Sequence, residues 1–302
     1  MQEISKKDMK GFPKKLIPVI LCQEDGENLI SLGNEDFILN SSLKCSKCER
    51  EYHIKNGIFY IDSRDKDTLM EKEIEARDAS AKGYDRRLSS RYYKEIPPTL
   101  KALEVNKDSK VIEYGCGTGR VTEHIFNKVD LILAIDFSPE SLKILQRKAQ
   151  NTDNIGLVCT DASTFKTKKS FFDRALSVQV LEHIPTKDRR NVSVLNAYDT
   201  LKNKGIFVLS CYHQDMRRKL NKKPQEGTHP SGIFFHYFTK GELSNLFKSF
   251  SKVKIKPIDI TLPFEARLHL PSFLGGFISK VLEYIPFLNN FGHLLLVRAE
   301  KE

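Results

Sequence analysis

Val111–Arg120 reads VIEYGCGTGR. An apolar strand carrying an acid, Glu113, runs into a turn with Gly115, Gly117 and Gly119 at every second position. Glycines spaced this way let a ligand lie directly against the main chain, because only a residue without Cβ combines that approach with left-handed dihedrals. The turn is therefore a cradle for a nucleotide-like group. A dinucleotide fingerprint needs glycine at the first, third and sixth positions, and the sixth position here is Arg120. Glu113 adds a carboxylate that repels a pyrophosphate and attracts an ammonium group. Both features point away from NAD and toward a ligand with a cationic end.

Outward from this stretch, strands and helices alternate. Strands are expected at Lys110–Tyr114, Leu131–Ile135, Ile155–Cys159, Phe172–Val178, Gly205–Cys211, Val253–Ile258 and Leu294–Val297. Helices are expected over Thr118–Asn127, with Val121, Ile125 and Phe126 inward, and over Lys187–Lys202, with Leu195, Tyr198 and Leu201 on one face. Ser138-Pro139-Glu140 and the capping box Thr239-Lys-Gly-Glu242 open two more. This order predicts an α/β fold: a doubly wound, mostly parallel seven-stranded sheet with right-handed crossovers. A ligand in such a sheet lies across the carboxyl ends of the strands. Asp136 closes the second strand, where a carboxylate can accept both hydroxyls of a ribose. Asp161 follows the third, where it can accept from an adenine amine while the Ala162 backbone donates.

The series GCGTG, Asp136, Asp161 resembles the first three motifs of the class I S-adenosylmethionine-dependent methyltransferases, whose E/D-x-G-x-G-x-G is matched without a gap. The resemblance implies a Rossmann-like fold with S-adenosylmethionine held by Glu113, Gly115, Gly117, Gly119, Asp136, Asp161 and Ala162. FDRALSVQVLEHI (Phe172–Ile184) is similar to motif IV of the small-molecule-type members, which places Ser177, Gln179 and His183 near the transferred methyl. A neutral His183 could take a proton there, or Glu182 and His183 could only cap the next helix. Residues 67–106 read as a helical connector and lid in which Arg77, Asp78, Tyr84 and Asp85 match the family's pre-motif stretch. Tyr84 is the candidate cofactor contact of that group, and Pro97-Pro98 is expected to stop any helix.

Residues 1–66 form a β-rich module of a different kind, leaving 107–302 for the methyltransferase domain. Short alternating segments at Leu16–Cys22, Asn28–Leu32, Phe37–Leu39 and Ile58–Ile61 are split by Gly, Asn and Asp. Cys45-Ser-Lys-Cys48 has the knuckle spacing that lets two thiolates reach one zinc ion. Cys22 starts a second arm, but three residues on the chain has Asp25 instead of cysteine. Leu16–Ile61 resembles the small zinc-ribbon-like domain of the tRNA-methyltransferase activator subunit. Three readings stay open: zinc on Cys22, Cys45, Cys48 and Asp25 (or His53), a relic that has lost its metal, or ordinary cysteines.

A chain of 302 residues with 40% hydrophobic and 29% charged residues has the balance of a soluble globular protein. The N-terminus has no apolar stretch of signal-peptide length, no segment is long and apolar enough to span a bilayer, and six cysteines are sparse, so a cytoplasmic setting is expected. The net charge of +10 favours an anionic neighbour, whether nucleic acid, an acidic lipid surface at a peripheral contact or an acidic protein. The leading expectation is methyl transfer to a small, apolar or lipid-like acceptor. RNA or protein methylation is the alternative, disfavoured by the missing NPP-type signature and by the lack of an obvious catalytic cysteine after the fourth strand; an inactive cofactor-binding scaffold is the other. The Leu262–Phe291 insert, with Tyr84 and His183, is expected to build the acceptor pocket.

Overall fold

The computed structural model describes residues 10–31, 35–61, 68–85, 91–262 and 271–302. Residues 1–9, Leu32, the 66/67 domain boundary and residues 263–270 of the C-terminal insert lie outside the described residues. The strands are β1 (Phe12–Pro13), β2 (Leu29–Ser31), β3 (Phe37–Ile38), β4 (Ser41–Cys45), β5 (Glu51–Lys55), β6 (Ile58–Tyr60), β7 (Lys110–Tyr114), β8 (Leu131–Asp136), β9 (Ile155–Cys159), β10 (Phe172–Val178), β11 (Leu201–Tyr212), β12 (Glu226–Thr228), β13 (Phe234–His236), β14 (Lys252–Ile258) and β15 (Leu294–Glu300). The helices are α1 (Thr68–Ser80), α2 (Tyr92–Leu103), α3 (Pro139–Lys148), α4 (Lys187–Thr200), α5 (Met216–Leu220), α6 (Lys240–Leu246) and α7 (Ser272–Glu283).

Eleven strands make one sheet in the order β14-β15-β11-β10-β7-β8-β9-β6-β5-β4-β2. The seven from β14 to β9 are the expected doubly wound sheet, parallel from β11 to β9, with β15 antiparallel beside β11. Of the N-terminal strands, β1 and β3 pair only with each other, while β2, β4, β5 and β6 join the main sheet. β6 pairs in parallel with β9, Ile58 opposite Leu157 and Tyr60 opposite Cys159, so β6, β5, β4 and β2 widen the sheet at its far edge. Strand pleating sends alternate residues to opposite faces. On β8, Leu131, Leu133 and Ile135 join one apolar cluster while Ile132 and Ala134 join the other. The first cluster runs on through Val158 and Phe165 into Phe12, Leu16, Leu43 and Phe59, making the module and the central sheet one core.

Four local readings are corrected. Pro97 and Pro98 do not stop a helix: both lie inside α2, which buries Ile96, Thr99 and Leu103. A proline in a helix interior costs about 3 kcal/mol, and here the burial of one whole helix face, including the Glu95 carboxylate, offsets it. Thr118–Asn127 forms two short 3-10 turns, Thr122–His124 and Phe126–Lys128, instead of an α-helix. Lys14–Val19 is likewise a 3-10 turn where alternation suggested a strand. On α4 the buried face is Arg190, Val194, Ala197 and Thr200, and Leu195 is 47% exposed. The capping box at Thr239 and Glu242 and the Ser138 cap with Pro139 are both present.

Candidate active site

The glycine turn leaves β7 at the carboxyl end of the sheet. Its Gly115 and Cys116 N–H groups donate to the Ile135 carbonyl at 2.8 and 2.9 Å, which fastens the turn to β8. Gly115 has φ +73°, and a Cβ there would sit 2.2 Å from Val180 Cγ2. Gly117 has φ +53° with open space before it, so its main chain faces the cavity uncovered. The buried Asp136 carboxylate accepts from Gly117 N–H at 2.8 Å and from Ser138 N–H at 2.9 Å. Burial raises its pKa and those two donors pull it back. Glu113, fully enclosed, accepts from the Thr122 hydroxyl at 2.7 Å and is pushed up to about 8 by desolvation. An arriving ammonium group would be the counter-charge that restores its carboxylate form.

A cavity opens over this turn. Its floor is Glu113, Gly115, Cys116, Gly117, Asp136 and Phe137. One wall is Asp161, Ala162 and Ser163 after β9; another is Val178, Gln179, Val180, His183, Ile184 and Pro185 after β10. Helix α1 and the turn after it contribute Met70, Glu73, Arg77, Ser80, Ala81 and Tyr84. Ser177 is buried and is not among the lining residues; Gln179 lines the cavity while its amide donates to both Glu95 oxygens at 2.7 and 2.8 Å. Asp161 accepts from Ser163 N–H at 2.8 Å and from Arg189 at 2.7 Å. Asp78 and Asp85 are not among the lining residues and pin the surrounding chain: Asp78 accepts from the Ser138 hydroxyl, and Asp85 accepts from Thr118 and from Lys148 at 2.6 Å.

His183 lines the cavity and is buried. Its Nδ1 lies 2.8 Å from the Phe234 carbonyl, which can only accept, so Nδ1 carries the proton and Nε2 keeps a lone pair. Desolvation, helped by the nearby Arg77, holds the ring neutral by lowering its pKa to about 3. Beside it Glu182 is fully buried, has no hydrogen-bond partner on either carboxyl oxygen among the described residues, and is pushed up to about 8 by burial. The reading that Glu182 and His183 only cap a helix does not hold, since α4 is capped by Thr186.

Several functional positions carried no usable signal in the sequence. Glu95 sits on a helix that the proline pair seemed to forbid, yet it accepts from Gln179, Arg120 and Ser210 beneath the cavity. Gly232 and Phe234 reach the lining from the insert after β11. The C-terminal insert does not: none of the residues 271–291 lines the cavity, and α7 packs on α2 instead. That corrects the expectation that it roofs the acceptor pocket, as far as the described residues go.

A family model described as a methyltransferase domain matches residues 112–209, the span from the glycine turn through β11. The chain carries a class I S-adenosylmethionine-dependent methyltransferase domain. The methyltransferase domain is similar to the malonyl-[acyl-carrier protein] O-methyltransferase of Bacillus cytotoxicus, 27% identical over 146 residues, 45% of this chain and 49% of that protein. The mitochondrial ubiquinone biosynthesis O-methyltransferase of Arabidopsis thaliana is 29% identical over 132 residues, 42% of this chain and 38% of that one. The match thus spans about half the length of these curated relatives, or less. Among solved structures, the DhpI–SAM–HEP complex shares the fold with a TM-score of 0.55 at 18% identity, covering 78% of this chain and 99% of that chain. S-adenosylmethionine fits the residues present: the bare Gly117 main chain, the buried Asp136 and the enclosed Glu113 offer close main-chain approach, a ribose acceptor and a cation acceptor in one cavity.

In the N-terminal module a second cluster stands apart from this cavity. One ligand atom each from Cys22, Asp25, Cys45 and Cys48 lies within 4.8 Å of all the others. Cys22 Sγ is 3.6 Å from Cys48 Sγ, and Cys45 Sγ is 3.4 Å from both Asp25 oxygens. Zinc–ligand lengths of about 2.1–2.3 Å put tetrahedral ligands roughly 3.5–3.8 Å apart, so the set fits a tetrahedral ion. His53, on β5, is outside this group.

Proposed function

We propose that this protein transfers a methyl group from S-adenosylmethionine to a small, apolar or lipid-like acceptor. The observation that carries the reading is one cavity lined both by the glycine cradle and by a neutral His183, with Val178, Val180, Ile184, Pro185 and Phe234 as apolar wall. The O-methyltransferase relatives named above support it. Bound against Gly117 and Asp136, the cofactor supplies an electrophilic methyl on a sulfonium, already activated for in-line displacement. The protein then has to align, exclude water and take a proton. Glu113 and Asp136 hold the two ends of the ligand, Arg77 and Tyr84 close the lid side, and His183 Nε2 accepts a hydrogen bond from the acceptor hydroxyl and takes its proton as methyl transfer makes that oxygen acidic.

His183→Ala is expected to lower turnover by about 10²–10⁴-fold, the usual worth of a general base, with cofactor affinity changed little. Turnover is read by labelled methyl incorporation into a metabolite extract, beside bulk RNA and bulk protein. Label appearing only in RNA or protein would overturn the small-molecule reading. Equal loss of cofactor affinity would reduce His183 to a structural residue.

We also propose that Cys22, Asp25, Cys45 and Cys48 hold one structural zinc ion. Elemental analysis of the purified chain is expected to give about one equivalent, and Cys48→Ser to lower it together with thermal stability, since binding energy at such sites is folding energy. A metal-free chain with undiminished stability would leave the four as ordinary side chains.

A further inference from the structure

Helix α7 has two unlike sides. Gly275, Gly276 and Ser279 face the protein, and Gly276 lies so close to α2 that a Cβ would meet Tyr93 Cβ at 2.4 Å. The other side is exposed and, apart from Lys280, apolar. Phe277 is 66% exposed, and after the helix Tyr284 and Phe287 are 78% and 65% exposed. These are protruding side chains on a helix and the turn that follows it.

A basic strip adjoins this face. Helix α5 packs against the turn Leu288–Phe291, and residues 216–223, MRRKLNKK, contain five basic residues and no acid. Arg217 and Arg218 are engaged inward, on the Phe291 carbonyl and the Tyr237 ring, while Lys219, Lys222 and Lys223 are exposed. The acid on α7, Glu283, is turned in toward Ser279 and Lys256.

We propose that this face docks on an anionic lipid bilayer, with Phe277, Tyr284 and Phe287 entering the interface and Lys219, Lys222 and Lys223 meeting the headgroups. Two separate features meet here as interfacial binding requires: exposed aromatic side chains on an amphipathic helix and cations at their margin. A second copy of the chain suits the face poorly, because a two-fold contact sets a molecule of net charge +10 against another with the basic strips at the same interface. Docking does not depend on the identity of the acceptor. It does bring α5 to the membrane, and α5 belongs to the same insert that supplies Gly232 and Phe234 to the cavity.

The test is co-sedimentation of the full chain with vesicles of phosphatidylcholine alone and of phosphatidylcholine mixed with phosphatidylglycerol. The chain is expected to sediment with the mixed vesicles at low salt and to be released by high salt. The double variant Phe277→Ser, Tyr284→Ser and the triple variant Lys219→Glu, Lys222→Glu, Lys223→Glu are each expected to weaken vesicle binding by about tenfold or more. Both should leave thermal unfolding and cofactor affinity unchanged, because all five side chains are exposed. No binding by the parent chain overturns the proposal, as does undiminished binding by both variants. A concentration-dependent dimer that Phe277→Ser dissociates assigns the face to a second copy and overturns it equally.

Discussion

Asp136→Ala is expected to weaken S-adenosylmethionine binding by about 1.5–3 kcal/mol, roughly ten- to a hundredfold or slightly more, by calorimetry. Two losses add. The carboxylate that would accept the ribose hydroxyls disappears, and so does the acceptor for Gly117 N–H and Ser138 N–H, which hold the glycine turn and the start of α3 in place. Both donors sit in a site where Asp136 is 8% exposed, so water cannot replace the lost partner freely. Asp136→Asn keeps the volume and one carbonyl acceptor, and it should fall between the parent and the alanine variant. An alanine variant with unchanged affinity would remove Asp136 from the cofactor site and with it the reading of the whole cavity.

Phe59→Ala is expected to destabilise the entire chain by about 3–5 kcal/mol, the usual cost of emptying a buried phenyl site. Phe59 is fully buried, and its ring packs against Phe12 at 5.8 Å and Tyr52 at 6.1 Å between centroids. It stands on β6, the strand that joins the module to β9, within the cluster that also contains Val158 and Leu133. A lower denaturant midpoint of one shared transition is the outcome that the continuous sheet predicts. Two transitions, with only the smaller one moved, would mean that the module folds apart from the rest despite the shared strands.

Strand positions were legible in the sequence because buried parallel strands are short apolar runs bounded by turn residues, and Lys110–Tyr114, Ile155–Cys159 and Phe172–Val178 are found as read. The helical parts were less so. Pro97-Pro98 is a local signal, and packing of α2 against α7 and β11 outweighs it. Thr118–Asn127 has helical spacing, but its β-branched Val121, Thr122 and Ile125 and the pull of Glu113 on Thr122 leave tight turns. In the site, the glycines and Asp136 announced themselves by pattern. Glu95, Glu182 and Phe234 did not, since a buried carboxyl and a backbone carbonyl act through where tertiary packing carries them. Cys22, Asp25, Cys45 and Cys48 meet although twenty-odd residues separate the two pairs, and the knuckle spacing alone named half of them.

The pairing of β6 with β9 has a price that falls during synthesis. Ile58 finds its partner Leu157 roughly a hundred residues downstream, which at ribosomal speed is a wait of about 5–20 s. For that interval β6 is the last strand of a nascent sheet with one row of main-chain groups unanswered, and its own Ile58 and Phe59 are uncovered. The turn Asn56-Gly57, with both residues at positive φ, lets β5 and β6 close into a hairpin early. The antiparallel side of β6 is thus shielded at once, and its parallel side stays open until Ile155–Cys159 leaves the ribosome.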